Sequence, residues 1–347
     1  LPELHRLLIK PIITKLPKEI DSLILSPDGM LSFLPFHALH ENPDAPFLSE
    51  KFNLFQVTSG RDLLKEFEPN DSKKVVLFGN PEFQNSNAHS ADDDLTFASL
   101  DPRAESFRNL SFASLPYSQA EVGLLNQLFQ EKYQPTAFIG ASAKESTLRE
   151  LNSPRILHLA THGFFIDNSE KISDHSGQSR FFGINKDENS IPNNPMRRAG
   201  LALTGAQSTF DAWAKNQQTV SENDGIFTAE EAAMLDLQST WLTTLSACET
   251  GSGSTQAGEG VFGLRRAFYQ AGTQNLLLTL WPVNDYRTVD FMKAFYEEAL
   301  RTENAPRAFA KVQRDFLVNF RKKRNLSQAI KYFAPFVLTF RGPLPES

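Results

Sequence analysis

The chain has 347 residues, 40% of them hydrophobic, with 35 Lys and Arg against 41 Asp and Glu, a formal net charge of −6. That length holds one large domain or two smaller ones with ample core material, and the acidic balance argues against a basic nucleic-acid-binding surface. The one Cys cannot form an internal disulfide, so folding does not depend on an oxidising compartment.

No apolar run approaches the ~20 residues of a membrane span. Pro2, Glu3, Lys10, Pro11 and Lys15 interrupt the first twenty positions, so they do not read as a signal peptide. A cytoplasmic location follows as the expectation. The start at Leu1 reads as that of an excised or processed piece.

Leu4–Ile13 is predicted to be a short amphipathic helix, and Ser22–Leu25 a strand entering the turn Ser26-Pro27-Asp28-Gly29. Leu31–Leu39 is apolar but contains Pro35, which predicts an edge or loop packed on the core. Phe52–Ser59 and Lys73–Phe78 are predicted strands, the second followed by Gly79-Asn80-Pro81. Residues 80–116 are rich in Ser, Asn and Asp and read as a long surface loop. Val122, Leu125 and Phe129 share one face of a predicted helix over Tyr117–Gln130. A short strand over Thr136–Ile139 and a short helix over Lys144–Leu151 follow.

Arg155–Ala160 is a strand-like run leading to His162 and Gly163. Asp167–Arg198 reads as a flexible polar insertion, and Leu201–Leu203 as a brief strand. Thr228 with Glu231 forms a predicted capping box opening a helix to Leu235. Then come a strand ending at Ser246-Ala247-Cys248, a glycine-rich loop, a helix over Gly260–Gln270 closed by Gly272, and a strand over Asn275–Trp281. Helices over Tyr286–Leu300 and Ala308–Phe320, a basic run Arg321–Arg324 read as a solvated helix end, and a strand over Phe336–Phe340 complete the chain. Strands alternate with helices throughout the second half, which predicts a mostly parallel α/β sheet with helices on both faces.

Two apolar runs therefore end at reactive side chains, His162 and Cys248. The ends of strands are where open α/β sheets keep their chemistry. An imidazole can take the thiol proton and return it to a leaving amine, and the backbone N–H groups of Gly163 and Cys248 are candidate oxyanion donors. The two side chains are expected within several Å of each other in a cleft, where alanine at either position costs little stability. The competing reading makes Cys248 a buried structural thiol. His158 and His162 form an H-x-x-x-H pair, but Leu159 stands where a zinc-protease helix needs Glu, so no metal is expected. The loop Gly251–Gly260 lacks the Lys-Ser/Thr ending of a phosphate loop, and no G-x-S-x-G elbow is present.

In order along the chain, SPDG at 26–29 with LPFHAL at 34–39, Leu115-Pro116 with Ala120-Glu121, HLATHGFF at 158–165, DGIFTAEE at 224–231, LSACETG at 245–251, GEGVFGLRRAFYQAG at 258–272, LTLWPVND at 278–285 and APFVLTF at 334–340 resemble the CHAT domain. This is the bacterial branch of the caspase-like cysteine peptidases, often found behind tetratricopeptide repeats. The resemblance covers nearly the whole chain. It implies a caspase-like α/β fold, with residues 1–70 as the N-terminal part of the domain and 71–347 as the peptidase core. It implies a cysteine endopeptidase with His162 as base and Cys248 as nucleophile; with the charge, hydropathy and motif readings above, no cofactor, no metal, no directly bound nucleic acid and no membrane are expected. A protein substrate and an upstream repeat or sensor module are the implied partners. The alternative is a catalytically inactive caspase-like scaffold for protein–protein interaction.

The spacing departs from caspases, where the His lies about 50 residues before the Cys; here 86 residues separate positions 162 and 248. Ser246 and Thr250 replace the caspase Gln and Gly around the Cys, which argues against a preference for aspartate. In the wider clan, relatives that cut after Arg or Lys carry an acidic residue in the specificity pocket, and in separases that acid resembles the one ending an L-W-D-V-T-D stretch. LTLWPVND ends in Asp285 at the corresponding place, which makes Asp285 the first candidate for substrate binding and Asp224 the second. Asp285 could equally cap the helix beginning near Tyr286, leaving a pocket for an apolar side chain.

Overall fold

Runs of β-branched and apolar residues build the centre of the molecule. The computed structural model describes residues 1–68, 70–84, 111–166, 195–215, 223–246, 248–249, 257–281, 283 and 285–344. Its main sheet has the order β1-β2-β12-β11-β9-β5-β3-β4. The strands are β1 (Ser22–Leu25), β2 (Asn53–Gln56), β3 (Lys74–Pro81), β4 (Gln134–Gly140), β5 (Ile156–Ala160), β9 (Leu242–Leu245), β11 (Asn275–Thr279) and β12 (Phe336–Phe340). Every junction is parallel except β11–β12. Residues 1–70 supply β1 and β2 at one edge of this sheet.

Each residue of β5, β9, β11 and β12 is buried, as expected of strands covered on both faces. Six longer helices are α1 (Pro116–Phe129), α2 (Ala206–Trp213), α3 (Ala257–Ala271), α4 (Asp285–Thr302), α5 (Ala305–Lys323) and α6 (Leu326–Phe333). One face of the sheet is covered by α1 through Val122, Leu125 and Phe129, with Phe291, Phe295 and Tyr296 of α4 and Phe309 of α5. The other carries Leu264, Ala267 and Phe268 of α3 and the short helix Ala229–Ala232. The α/β class with helices on both faces of a mostly parallel sheet is therefore the one the alternation of elements predicts. The basic run ends α5, with Lys322, Lys323 and Arg324 exposed.

The helix predicted over Leu4–Ile13 exists with a π-helical middle, as Pro2–Leu4, His5–Ile9 and Lys10–Ile13. The helices α2 and α6 were not predicted. Each is only eight residues long and gains its stability by burying residues such as Phe210 and Phe333 in tertiary contact. Thr228 and Glu231 form the predicted capping box, the Thr228 N–H donating to Glu231 Oε2 at 2.9 Å and the Glu231 N–H to Thr228 Oγ1 at 3.2 Å. Of the expected flexible segments, 167–194 and 251–256 lie outside the described residues; Pro195–Arg198 is a short helix and 257–260 opens α3.

A second sheet of four strands decides the placement of the reactive residues. Its order is β10-β6-β7-β8, from β10 (Cys248–Glu249), β6 (His162–Phe165), β7 (Ala199–Ala202) and β8 (Ile226–Thr228). The strands β5 and β9 stop at Ala160 and Leu245. His162 and Cys248 thus open new strands of the second sheet, where the sequence reading put them at the ends of β5 and β9. Phe83, Phe112, Phe164, Ala202, Phe210 and Ile226 cluster around this sheet.

The LPFHAL segment folds inward as a short 3-10 turn, Phe36–Ala38, which buries His37 against the Phe309 ring (centroids 5.4 Å apart) with its Nε2 at 3.3 Å from the Leu54 carbonyl. Burial lowers the His37 pKa from 6.5 to about 4. Because the folded value lies below the unfolded one, the unfolded chain takes up the proton first as pH falls. The stabilisation present above pH 6.5 is therefore lost between 6.5 and about 4, by about 3 kcal/mol at the lower end. Urea unfolding at pH 7 and pH 4 is expected to show this loss, and His37→Gln to reduce it; an undiminished pH dependence in the variant would contradict the assignment.

Candidate functional site

The chain leaves β5 through Thr161, whose hydroxyl donates to the Ala202 carbonyl and so ties the turn to β7. His162 then pairs with Ala202 on one side and with Cys248, in parallel register, on the other. Its ring Nε2 lies 2.8 Å from the carbonyl of Ala113. A carbonyl only accepts, so Nε2 carries the hydrogen and Nδ1 keeps a lone pair. Phe83 and Phe112 flank the ring at centroid distances of 5.1 and 5.8 Å.

Only 7% of His162 is exposed, so it is buried rather than set in an open cleft as the sequence reading expected. That burial lowers its pKa below 6.5, partly offset by the Ala113 carbonyl. The imidazole is therefore neutral at pH 7, able to accept a proton, and loses that ability only as pH falls below 6.5.

The Ala113 carbonyl is held by the irregular last residues of β3, where the register shifts between Gly79 and Pro81. Asn80 sits there at φ 43°, a conformation Asn tolerates better than most residues. Its Oδ1 accepts from the Leu115 N–H (2.8 Å) and the Ser114 hydroxyl (3.1 Å), while its own N–H donates to Ser118 Oγ (2.8 Å). Gly79 allows α1 to lie this close, since a Cβ there would sit 2.7 Å from Val122 Cγ2 and 2.9 Å from the Ser118 carbonyl. Both described ends of the stretch 80–116 thus pack on His162. Sequence reasoning missed Phe83, Phe112 and Ala113; the one signal was the Gly79-Asn80-Pro81 turn facing the Leu115-Pro116 helix start.

Cys248 begins β10 as the register partner of His162, and Glu249 is the partner of Gly163. The Cys248 side chain lies outside what the structure describes, as do Ala247 and 250–256. Gly163 lines an apolar recess with Phe164, Leu245, Val261, Leu264 and Leu278.

Asp285 is the first residue of α4, with its side chain outside the description. The next residue, Tyr286, meets Tyr117 of α1 edge-on at 5.6 Å. Asp224 stands apart from this end. It precedes Ile226, which pairs with Ala202 and so lies two strands from His162, about 10 Å at ordinary strand spacing. Its Oδ1 accepts from the Ile226 N–H at 2.8 Å. Beside it the buried Glu145 accepts from the Gly225 N–H (2.5 Å) and Arg149 (2.6 Å). Burial raises the pKa of both carboxyls, Glu145 to about 7. The contacts engage Asp224 in the turn that opens β8.

The H-x-x-x-H pair divides. His158 lies in the core, with Nε2 at 2.9 Å from Glu121 Oε1, while His162 turns to Ala113. Among the described residues no three His, Cys, Asp or Glu side chains gather to hold a metal, and no helix is long and apolar enough to cross a membrane.

The CHAT domain family profile matches residues 1–341. Among curated proteins the chain is 25% identical over 299 residues, 80% of its length, to tetratricopeptide repeat protein 28 of Mus musculus. It is 24% identical over 304 residues, 84% of its length, to the Homo sapiens protein of the same name. It spans only 10% and 11% of these relatives' own lengths.

Proposed function

The chain belongs to the CHAT domain family, a caspase-like, peptidase-related family, and from that premise we propose that it is a cysteine endopeptidase working through His162 and Cys248. The observation that carries this reading is the register of β6 and β10, which makes the two residues direct partners while the Ala113 carbonyl orients the imidazole with Nδ1 bare. In the proposed reaction Nδ1 takes the Cys248 proton and the thiolate attacks the scissile carbonyl carbon. The backbone N–H groups of Gly163 and Cys248 stabilise the oxyanion. The imidazolium then gives its proton to the departing amine, and water hydrolyses the thioester.

The substrate is a protein, and an upstream repeat module is the proposed activator, by analogy with the tetratricopeptide repeats in the names of the relatives. For the side chain before the scissile bond, the apolar recess beside Gly163 favours Leu or Met, whereas Asp285 at the start of α4 would favour Arg or Lys through a charge-assisted contact.

Labelling with iodoacetamide tests the dyad. Cys248 is expected to react about ten-fold or more faster at pH 7 in the wild type than in His162→Gln; equal, slow rates would end the peptidase reading. A peptide library then decides the pocket. Preference for Leu or Met unchanged by Asp285→Ala selects the recess, and preference for Arg or Lys lost in that variant selects Asp285.

A further inference from the structure

We propose that Glu121 and His158 form a buried positioning pair that holds His162 and Cys248 in register, an inference that rests on the dyad reading above. Neither residue reaches the surface: Glu121 is 1% exposed and His158 0%. Neither can touch a substrate. Replacing a buried pair of this kind by apolar residues of similar volume is often neutral or stabilising, so stability by itself does not call for one.

What the pair touches explains its presence. Glu121 belongs to α1, whose approach carries the Ala113 carbonyl. His158 belongs to β5, four residues before His162. The second Glu121 oxygen lies 3.5 Å from the hydroxyl of Ser246, two residues before Cys248. The other His158 nitrogen, Nδ1, lies 3.1 Å from the Tyr296 hydroxyl of α4, and that hydroxyl donates to Thr244 Oγ1 of β9 at 2.7 Å. One carboxylate and one imidazole thus reach, directly or through Tyr296, the elements leading to the base, its orienting carbonyl and the nucleophile.

The proton count follows from the donors. Tyr296 spends its hydrogen on Thr244, so its lone pair faces His158 and Nδ1 carries a hydrogen. Nε2 and Oε1 lie 2.9 Å apart, in direct contact though without the alignment of a hydrogen bond. Removing either partner cuts this direct tie between α1 and β5.

The test uses the full chain and two readouts that need no cleavage, the iodoacetamide rate of Cys248 and the ¹⁵N NMR signature of the His162 tautomer. Glu121→Ala is expected to slow alkylation about ten- to a hundred-fold and to replace the single Nε2–H tautomer of His162 by a mixture. On a cleaved peptide kcat falls by a similar factor while KM stays. Glu121→Gln keeps the shape and a donor toward Nε2, and is expected to recover most of the rate. A folded Glu121→Ala protein with wild-type alkylation and an unchanged tautomer overturns the proposal. Where Glu121→Ala fails to fold, Tyr296→Phe and Ser246→Ala remove one link each. A fall of about three-fold or more in either supports the pair, and wild-type behaviour in both overturns it. Should the wild type cleave no peptide while Glu121→Ala still shifts the His162 tautomer, the peptidase reading falls and the positioning role stands.

Discussion

Cys248→Ala is expected to bring peptide cleavage below detection, and His162→Gln to lower kcat by about 10²–10⁴-fold. Cys248 has no substitute, because it is the only Cys in the sequence. For His162, Gln is a cleaner choice than Ala. The ring is buried between Phe83 and Phe112, so truncating it leaves a void and a stability loss of about 1–3 kcal/mol that would obscure the kinetic effect. Rates measured with a cleaved peptide, beside thermal melts of each variant, check the expectation. Normal turnover in Cys248→Ala would exclude it as nucleophile. Unfolding of Cys248→Ala would instead favour a structural thiol and the scaffold reading. In the wild type, activity should fall with acid as the neutral imidazole gains a proton, with a midpoint below pH 6.5 because burial lowers that group.

Gly225→Ala is expected to destabilise the protein by roughly 4 kcal/mol or more, among the largest effects of any single substitution. Gly225 has φ +84°, and a Cβ there would lie 2.2 Å from the Ala206 backbone nitrogen and 2.7 Å from its Cα. Both obstacles are backbone, so no side chain can yield. The turn is also held from both sides, the Gly225 N–H by Glu145 and its carbonyl by the Leu203 N–H at 2.7 Å. Relief would require β8 to leave α2, and β8 pairs with β7, which pairs with the strand of His162. The damage should therefore reach the site, lowering Cys248 alkylation even where the chain still folds. Gly123→Ala is the control. It is exposed on α1 with nothing within 4 Å of a new Cβ, and alanine there should stabilise by about 0.5–1 kcal/mol. Equilibrium urea unfolding of both variants measures the difference; a Gly225→Ala protein within 1 kcal/mol of wild type would show that the turn can relax.

Local pattern by itself determined the strands of the main sheet, the longer helices other than α2 and α6, and the family. The apolar runs of β3, β5, β9, β11 and β12, the 3.6-residue spacing of Val122, Leu125 and Phe129, and the Thr228–Glu231 box are all short-range signals, legible because period and capping are set within a few residues. His162 and Cys248 stood out for the same reason, each following an apolar run at a glycine-bearing break. Tertiary structure alone decided that each opens a strand of a second sheet, since a run of residues does not state which sheet it will join. It also supplied the partners. The group that orients His162 is a backbone carbonyl at position 113, and the buried pair joins positions 121 and 158. Every residue has a carbonyl, and a glutamate on a helix face or a histidine in a strand carries no mark of its partner. Such contacts are fixed only when packing of α1 on β3 and β5 brings distant parts of the chain to within three Å, and no period in the sequence encodes that distance.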